Sequence, residues 1–163
     1  LRVELAGASW LVDVGFGGQT LVGVLRLQAD VEQATRLEPF RLIQRDGDWR
    51  MQSMVRGRWL SLYRFDLRPV PPIDYVVANH YVSTHPDSNF VNHLNVARTT
   101  SDSRLSLHNR EFTIRRIGHE PDRRMLHDSA AIRRVLEQEF LITLPAHLQL
   151  DQRLDNLPDN LPV

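Results

Sequence analysis

Residues 10–20 join an apolar, β-like run to a cluster of glycines and place one carboxylate, Asp13, at the junction. Leu11, Val12 and Val14 flank that carboxylate. An ionised carboxylate without a partner is costly to bury, because the loss of its hydration costs several kcal/mol. Successive side chains of a strand point to opposite faces, so Asp13 is expected on the face of Leu11. The segment therefore predicts a strand that directs one acid towards a defined partner.

Two roles for Asp13 are consistent with this pattern. An acid in such a position can orient a histidine whose other ring nitrogen activates a nucleophile. The alternative is structural, with the carboxylate capping the turn at Gly15 or pairing with an arginine. The residues around Asp13 leave both roles open.

Short turns between apolar runs predict successive antiparallel strands in the first part of the chain. Gly7 predicts a hairpin that pairs residues 2–5 with residues 10–14, and Asp46-Gly47 is the dipeptide suited to a type I′ turn. A further strand over residues 58–65 has one predicted face, formed by Trp59, Ser61, Tyr63 and Phe65. This arrangement favours a curled sheet or a barrel.

Prolines at positions 69, 71 and 72 mark a boundary, because proline cannot donate to a sheet ladder. After it we expect a helix over residues 73–82, a second β-hairpin over residues 105–117 and a helix over residues 128–140. Asp128 is the predicted cap of the last helix, whose apolar stripe is Ile132, Val135, Leu136 and Phe140. From residue 151 onward polar residues dominate, which predicts a tail that is frayed or covered by a neighbour.

Composition argues against several classes of function. Lys+Arg and Asp+Glu both number 20, so the formal net charge of zero provides no overall field towards nucleic acid or an acidic membrane. No apolar run approaches the roughly 20 residues that span a bilayer. The chain has no cysteine, and His80, His85 and His93 have no acidic companions at a recognised ligand spacing, so no metal is expected.

Three segments together resemble the arylamine N-acetyltransferases, a family that includes the N-hydroxyarylamine O-acetyltransferases. They are Val12-Asp-Val-Gly-Phe-Gly-Gly18, Leu60-Ser-Leu-Tyr-Arg-Phe-Asp-Leu67 and Asn79-His-Tyr-Val-Ser-Thr-His-Pro-Asp-Ser-Asn-Phe90. The first resembles the family segment that carries the acid of a catalytic triad. The second resembles the strand that leaves the central barrel, and the third resembles the segment that follows. The resemblance covers the chain from Val3 to about Leu144.

The resemblance transfers only one member of that triad, Asp13, to this chain. In the family, the nucleophile is a cysteine on an N-terminal helical domain and the base is a histidine one hairpin before the acid. This chain has no cysteine, and its seven histidines, from His80 to His147, all follow Asp13. We therefore expect the chain to be the C-terminal part of a longer enzyme, lacking the helical domain, and to be inactive by itself.

The fold that the resemblance implies is α+β, an antiparallel β-barrel-like domain followed by a small α/β lid domain. Its expected parts are the β-barrel domain over residues 1–72, an interdomain helix and loop over 73–100, the lid over 101–150 and a polar tail over 151–163. These correspond to the second and third domains of a cysteine-protease-like acetyltransferase fold.

The resemblance also implies ligands and the residues that hold them. Acetyl-CoA is the expected acetyl donor, held by Gly17, Thr84 and Ser88, and no metal takes part. The expected acceptor is an arylamine or arylhydrazine, in a pocket walled by Phe16, Tyr81 and Phe90. Each residue has a structural alternative, as a turn glycine, a polar turn cluster or a core aromatic.

Partners and location follow from the same resemblance and from composition. We expect a cytoplasmic protein without nucleic-acid or membrane partners. The expected protein partner is the N-terminal helical domain, which would complete the enzyme. Without that domain, apolar surface on the barrel is exposed, and we expect the chain to form oligomers through it. Two alternatives stay open: a non-catalytic β-barrel module that binds coenzyme A or another protein, and a fragment of a cysteine-protease-like or transglutaminase-like hydrolase.

Overall fold

The computed structural model describes residues 1–145 and 148–158 and has an α+β fold. The chain divides into two units, Leu1–Pro69 and Val70–Val163. No helix in the described part of the chain is long and apolar enough to cross a membrane.

The first unit consists of strands and one short 3-10 turn at Gly17–Gln19. Its strands are β1 (Arg2–Leu5), β2 (Ala8–Val12), β3 (Val24–Arg26), β4 (Glu32–Gln33), β5 (Phe40–Arg45), β6 (Asp48–Val55) and β7 (Arg58–Phe65). They form two antiparallel sheets, ordered β1-β2-β3 and β4-β5-β6-β7. Both predicted hairpins are present, but the second strand of the first one differs from the prediction. It spans Ala8–Val12 rather than residues 10–14, so Asp13 lies just beyond the strand and not within it. Asp46 and Gly47 take the positive φ angles, 53° and 83°, that a type I′ turn requires.

The two sheets of the first unit share one apolar cluster. Its buried members are Leu11, Leu21, Leu25, Phe40, Leu42, Trp49 and Met51. Burying each side chain of this size contributes about 1.5–3 kcal/mol, so the cluster holds the two sheets together. The two sheets are open, and both contribute side chains to this one core.

The predicted face of strand β7 is wrong, because the strand contains a β-bulge. Met51 lies opposite Tyr63, whereas the next residue along β6, Gln52, lies opposite Ser61. Leu62 is thus an extra residue that shifts the alternation of side chains by one position. Residues directly opposite each other share a face, so Tyr63 lies on the side of buried Met51 and Ser61 lies on the other side.

In its described residues, the second unit combines one sheet with four helices. Its elements are α1 (Pro72–Thr84), α2 (Asn89–Asn92), β8 (Asn95–Thr99), β9 (Ser103–His108), β10 (Glu111–Arg116), β11 (Asp122–Met125), α3 (Ser129–Gln138) and α4 (Leu148–Asp155). The sheet is antiparallel with the order β11-β10-β9-β8. The predicted helix over residues 73–82 and the predicted second hairpin are confirmed, and β8 and β11 extend that hairpin on both sides.

Helix α3 and the sheet of the second unit enclose a second apolar cluster. Its buried members are Leu105, Leu107, Phe112, Ile114, Leu126, Ile132, Leu136, Phe140 and Leu154. Asp128 accepts the N–H of Ala131 at 2.7 Å, so the predicted N-cap of α3 is confirmed.

The predicted fraying from residue 151 is wrong for the described part of that segment. Residues 148–155 form α4, and Leu154 is buried in the second core. Buried Arg110, from the β9–β10 turn, donates to the carbonyl oxygens of Leu154, Asp155 and Leu157 at 3.5, 2.5 and 3.0 Å. These donors satisfy carbonyl groups that the end of a helix leaves without partners. Residues 159–163 of the predicted tail lie outside the described residues.

Candidate active site

Asp13 follows the last residue of β2, and both of its carboxylate oxygens accept hydrogen bonds. Oδ1 accepts the backbone N–H of Gly15 at 3.1 Å, and Oδ2 accepts the hydroxyl of Tyr63 at 2.7 Å. The predicted cap of the turn at Gly15 is therefore confirmed, and the side-chain partner is a tyrosine rather than an arginine. Two bonds from different directions hold the carboxylate in one orientation.

Tyr63 reaches Asp13 from the core-facing side of β7, and aromatic rings hold it in place. Its ring centroid lies 4.9 Å from that of Phe16 and 5.9 Å from that of Phe65. Burial, and then the hydrogen bond to Asp13, raise the pKa of Tyr63 well above its ordinary value near 10. The hydroxyl therefore remains protonated, and so remains a donor to Asp13, throughout the physiological pH range.

The arrangement around Asp13 suits an acid that orients another group. A carboxylate has about four acceptor positions, and the two hydrogen bonds occupy about half of them. Val14 and Phe16 follow Asp13 closely in the chain and are exposed. The site therefore lies at the surface of its unit. The first unit contains no histidine, since the first in the chain is His80. An imidazole on Asp13 would have to come from outside this unit.

Gly17 lies in the same loop and begins the 3-10 turn. Its φ of 70° favours glycine, because L side chains rarely adopt that conformation. Its carbonyl oxygen accepts both the N–H and the hydroxyl of Thr20, at 3.1 and 2.6 Å. The turn alternative thus accounts for the glycine locally, and its approach to an acetyl donor stays a prediction.

Thr84 and Ser88 lie at the end of α1 and the start of α2, and both hydroxyl groups bond within their own segment. Thr84 donates to the carbonyl oxygen of His80 at 2.6 Å. Ser88 is buried, donates to the carbonyl oxygen of Val82 at 2.6 Å and, as the N-cap of α2, accepts the N–H of Phe90 at 3.3 Å. These bonds shape the loop, and contact with coenzyme A stays a prediction.

The three aromatic residues predicted for the acceptor pocket are exposed to different degrees. Phe16 is 39% exposed, Tyr81 48% and Phe90 67%. Tyr81 stacks on the ring of His85 with centroids 4.5 Å apart. None belongs to a buried core, so the core alternative is wrong for all three, and their faces are accessible to a ligand. Their role in an acceptor pocket stays a prediction.

Comparison with known proteins assigns the family. The family model of the N-acetyltransferases matches residues 1–149. The arylamine N-acetyltransferase of Mycolicibacterium smegmatis is 48% identical over 120 residues, which cover 72% of this chain and 44% of that protein. The chain belongs to the arylamine N-acetyltransferase family. The predicted resemblance is confirmed.

Two further members of the arylamine N-acetyltransferase family show the extent of the match. The Escherichia coli enzyme is 40% identical over 141 residues, covering 86% of this chain and 50% of that protein. The structure of the Mycobacterium marinum enzyme in complex with CoA has a TM-score of 0.90 and 37% identity, covering 96% of this chain and 59% of that one. The chain spans about half the length of the curated relatives it matches.

The sequence does not reveal Tyr63 as a partner of the acid, because its pattern predicts only a strand residue at that position. The direction of the Tyr63 side chain depends on the bulge at Leu62. No glycine or proline within residues 58–65 indicates this bulge in the sequence. The cost of burying Asp13 without a partner was the available signal, and it did not specify which side chain would provide one.

The described residues of this family member contain no group of three or more side chains that could hold a metal ion. His80, His85 and His93 each contact a different polar neighbour.

Proposed function

We propose that the intact enzyme transfers an acetyl group from acetyl-CoA to the nitrogen, or N-hydroxy oxygen, of an arylamine or arylhydrazine. The reaction passes through an acetyl-cysteine and uses no metal. Family membership supports the acyl transfer, and the CoA complex of the M. marinum relative supports the donor. The observation that carries the role of this chain is the Asp13 carboxylate, held by Tyr63 and Gly15.

Asp13 acts in this proposal by orienting a histidine. Its carboxylate accepts one N–H of the imidazole and stabilises the cation that forms when the other nitrogen takes the proton of the cysteine thiol. A free thiol has a pKa of about 8.5 and is mostly protonated at neutral pH, so this proton transfer supplies the nucleophile. Neither the cysteine nor that histidine lies in the first unit.

The acetyl group then moves in two steps. The thiolate attacks the acetyl carbonyl of acetyl-CoA, a thioester forms on the cysteine, and coenzyme A leaves as a thiol with the proton from the imidazolium. The acceptor nitrogen next attacks the acetyl-cysteine, its proton passes to the imidazole, and the cysteine thiolate leaves. Atoms balance, since one acetyl group replaces one proton of the acceptor.

Tyr63 and Gly15 support both steps by removing rotational freedom from the carboxylate. Because the Tyr63 hydroxyl stays protonated, it donates to Asp13 throughout the cycle. The Asp13 carboxylate thus offers the imidazole an acceptor in a fixed position. Because these hydrogen bonds are already formed, the carboxylate does not have to rearrange during the reaction.

In this proposal the remaining predicted site residues contact the two substrates. Gly17, Thr84 and Ser88 contact the acetyl donor through backbone amide and hydroxyl groups. Phe16, Tyr81 and Phe90 contact the aromatic ring of the acceptor, for which their exposed faces provide stacking surface. We place the reaction in the cytoplasm.

The 163-residue chain alone should not catalyse the reaction, because it contains no cysteine. The test is to incubate it with acetyl-CoA and an arylamine, and then to replace the matched region of the E. coli relative with this chain. The chain alone should show no turnover, and the chimera should acetylate the arylamine.

Asp13→Asn in that chimera should remove most of the activity. Asp30→Asn is the matched control, since Asp30 lies in the same unit, is exposed and pairs with Arg45 at the surface. Turnover by the chain alone would contradict the proposal. Full activity of the Asp13→Asn chimera would mean that Asp13 has only a structural role as the cap of the turn at Gly15.

A further inference from the structure

The loop between β2 and β3 contains residues 14–18, which we call the arch. Its composition favours mobility, because three of its five residues are glycines. All of the arch but its last residue is exposed, and buried Leu21 returns the chain to the core. Asp13 precedes the arch and is bonded to Tyr63. The arch is therefore fixed at its start, and its conformation depends on what fixes its end.

Gln19 binds the end of the arch to the neighbouring sheet. Its Nε2 donates to Oε1 of Glu38 at 2.5 Å and to Oγ of Ser53 at 2.9 Å. Ser53 is fully buried on β6, and Glu38 is partly buried just before β5. Only the NH₂ group of an amide can donate to a carboxylate, so the orientation of the Gln19 side chain is defined. A hydrogen bond to a charged acceptor is also stronger than one between neutral groups.

Both ends of the arch are held on the same sheet. Met51 lies opposite Tyr63, and Ser53 follows Met51 by two positions on β6. Two residues span about 7 Å of a strand. The loop itself connects β2 to β3 in the other sheet, so both anchors are tertiary contacts. The arch is therefore held by two contacts about 7 Å apart along a sheet to which its own strands do not belong.

The 3-10 turn at Gly17–Gln19 couples Gln19 to the arch. The carbonyl oxygen of Gly17 accepts both the N–H and the hydroxyl of Thr20. These bonds close the turn around Gln19, so Gly17 and Gln19 cannot move independently. On the other side, the ring of Phe16 packs against that of Tyr63 with centroids 4.9 Å apart. A fixed Gln19 thus leaves Phe16 and Gly17 little conformational freedom.

We propose that Gln19 is a positioning residue: its two side-chain hydrogen bonds hold the arch in one conformation, so that Phe16 and Gly17 meet their ligands without first becoming ordered. The identity of those ligands rests on the proposed function, in which Phe16 contacts the acceptor and Gly17 the acetyl donor. Each backbone residue that must become ordered during binding lowers the affinity about tenfold. Gln19 therefore acts on substrate binding, whereas Asp13 acts on the chemical steps.

Proteolysis of the full chain tests the anchoring without any activity. Chymotrypsin cleaves after Phe, and a loop must open locally before a protease can bind it, so the rate of cleavage after Phe16 reports the mobility of the arch. Gln19→Ala should raise that rate about tenfold. Cleavage after Phe90, which is 67% exposed in the second unit, is the internal control and should not change. Equal rates of cleavage after Phe16 in both proteins would overturn the proposal.

An exchange of donor and acceptor identifies the bond that holds the arch. Gln19→Glu places two carboxylates at hydrogen-bond distance, so cleavage after Phe16 should be at least as fast as in Gln19→Ala. Adding Glu38→Gln restores one donor and one acceptor in reversed order, and the hydroxyl of Ser53 can donate instead of accepting. The double variant should be cleaved nearly as slowly as the parent chain, and so should Gln28→Ala, at an exposed position of the same unit. A double variant cleaved as fast as Gln19→Glu would overturn the proposal.

Kinetics of the chimera with the E. coli relative separate positioning from chemistry. Gln19→Ala should raise the KM values for the arylamine and for acetyl-CoA about tenfold and change kcat less than about twofold. Gln28→Ala should match the parent chimera. A loss of kcat at unchanged KM would overturn the proposal, because Gln19 would then act through Asp13. An inactive parent chimera would contradict the proposed function instead, and the cleavage rates would still decide the role of Gln19.

Discussion

The hydroxyl of Tyr63 and the carboxylate of Asp13 are 50 residues apart in the chain and meet at 2.7 Å. The contact joins the end of β2 in one sheet to β7 in the other sheet of the first unit. The acid proposed for catalysis is thus positioned by the barrel-like core itself. Its orientation depends on the bulge that turns Tyr63 towards that core.

Tyr63→Phe should destabilise the chain by about 1–2 kcal/mol, because a hydrogen bond to a charged group is lost while the half-exposed carboxylate regains some water. Urea denaturation measures this. Tyr75→Phe, at an exposed position of α1, is the control and should change stability little. A double-mutant cycle with Asp13→Asn should show coupling between the two residues, and strict additivity would contradict a direct interaction.

The stability of the chain should fall at alkaline pH in a manner that depends on Tyr63. Its pKa is raised in the folded state above the unfolded value near 10. At alkaline pH the folded state therefore retains a proton that the unfolded state loses. The contribution of this proton to the free energy of unfolding is fully present below about pH 10 and is lost as pH rises above that value. Tyr63→Phe should show a smaller alkaline loss in urea titrations between about pH 9 and about pH 11. Identical losses in both proteins would contradict the assigned shift.

Arg110→Met should cost about 3 kcal/mol or more of unfolding free energy. The guanidinium donates to five carbonyl oxygens, those of Leu126, His127, Leu154, Asp155 and Leu157. Methionine fills similar space but leaves these acceptors without their donor. Arg134→Met, on the exposed side of α3, should cost less than about 0.5 kcal/mol. Comparable losses in the two variants would show that Arg110 does not hold the end of α4.

The isolated chain should associate through α1. No residue of this helix is buried, although Ile73, Tyr75, Val76, Val77 and Tyr81 are large and apolar. Exposed apolar surface of this kind drives association. Light scattering over a range of concentrations should show growing particles, and Val76→Lys with Val77→Lys should reduce them. A monodisperse monomer at all concentrations would contradict this expectation.

The amino-acid sequence by itself determined the features that depend on neighbours a few residues apart. Asp46-Gly47 specifies a turn through the positive φ that both residues adopt, and Asp128 caps α3 by reaching an amide three residues away. The spacing of Ile132 and Leu136 likewise placed one face of α3 against the core. Each of these is a local interaction, so a short window of sequence contains both partners.

The family resemblance was also readable from the sequence, because it rests on the order and spacing of short motifs. The first of these motifs indicates Asp13 as the acid of a triad, and that role stays a prediction.

Only the tertiary structure decided which residue holds Asp13, where strand β7 reverses its faces and how the end of the described chain is anchored. The bulge at Leu62 depends on pairing with β6, and the carbonyl groups that bind Arg110 come from residues 16 to 47 positions away. Residues 151–155 contain one apolar residue, Leu154, among four polar ones, yet Leu154 is buried because α3, α4 and the sheet pack around it. Such contacts have no local signature, since their free energy arises only after distant segments pack.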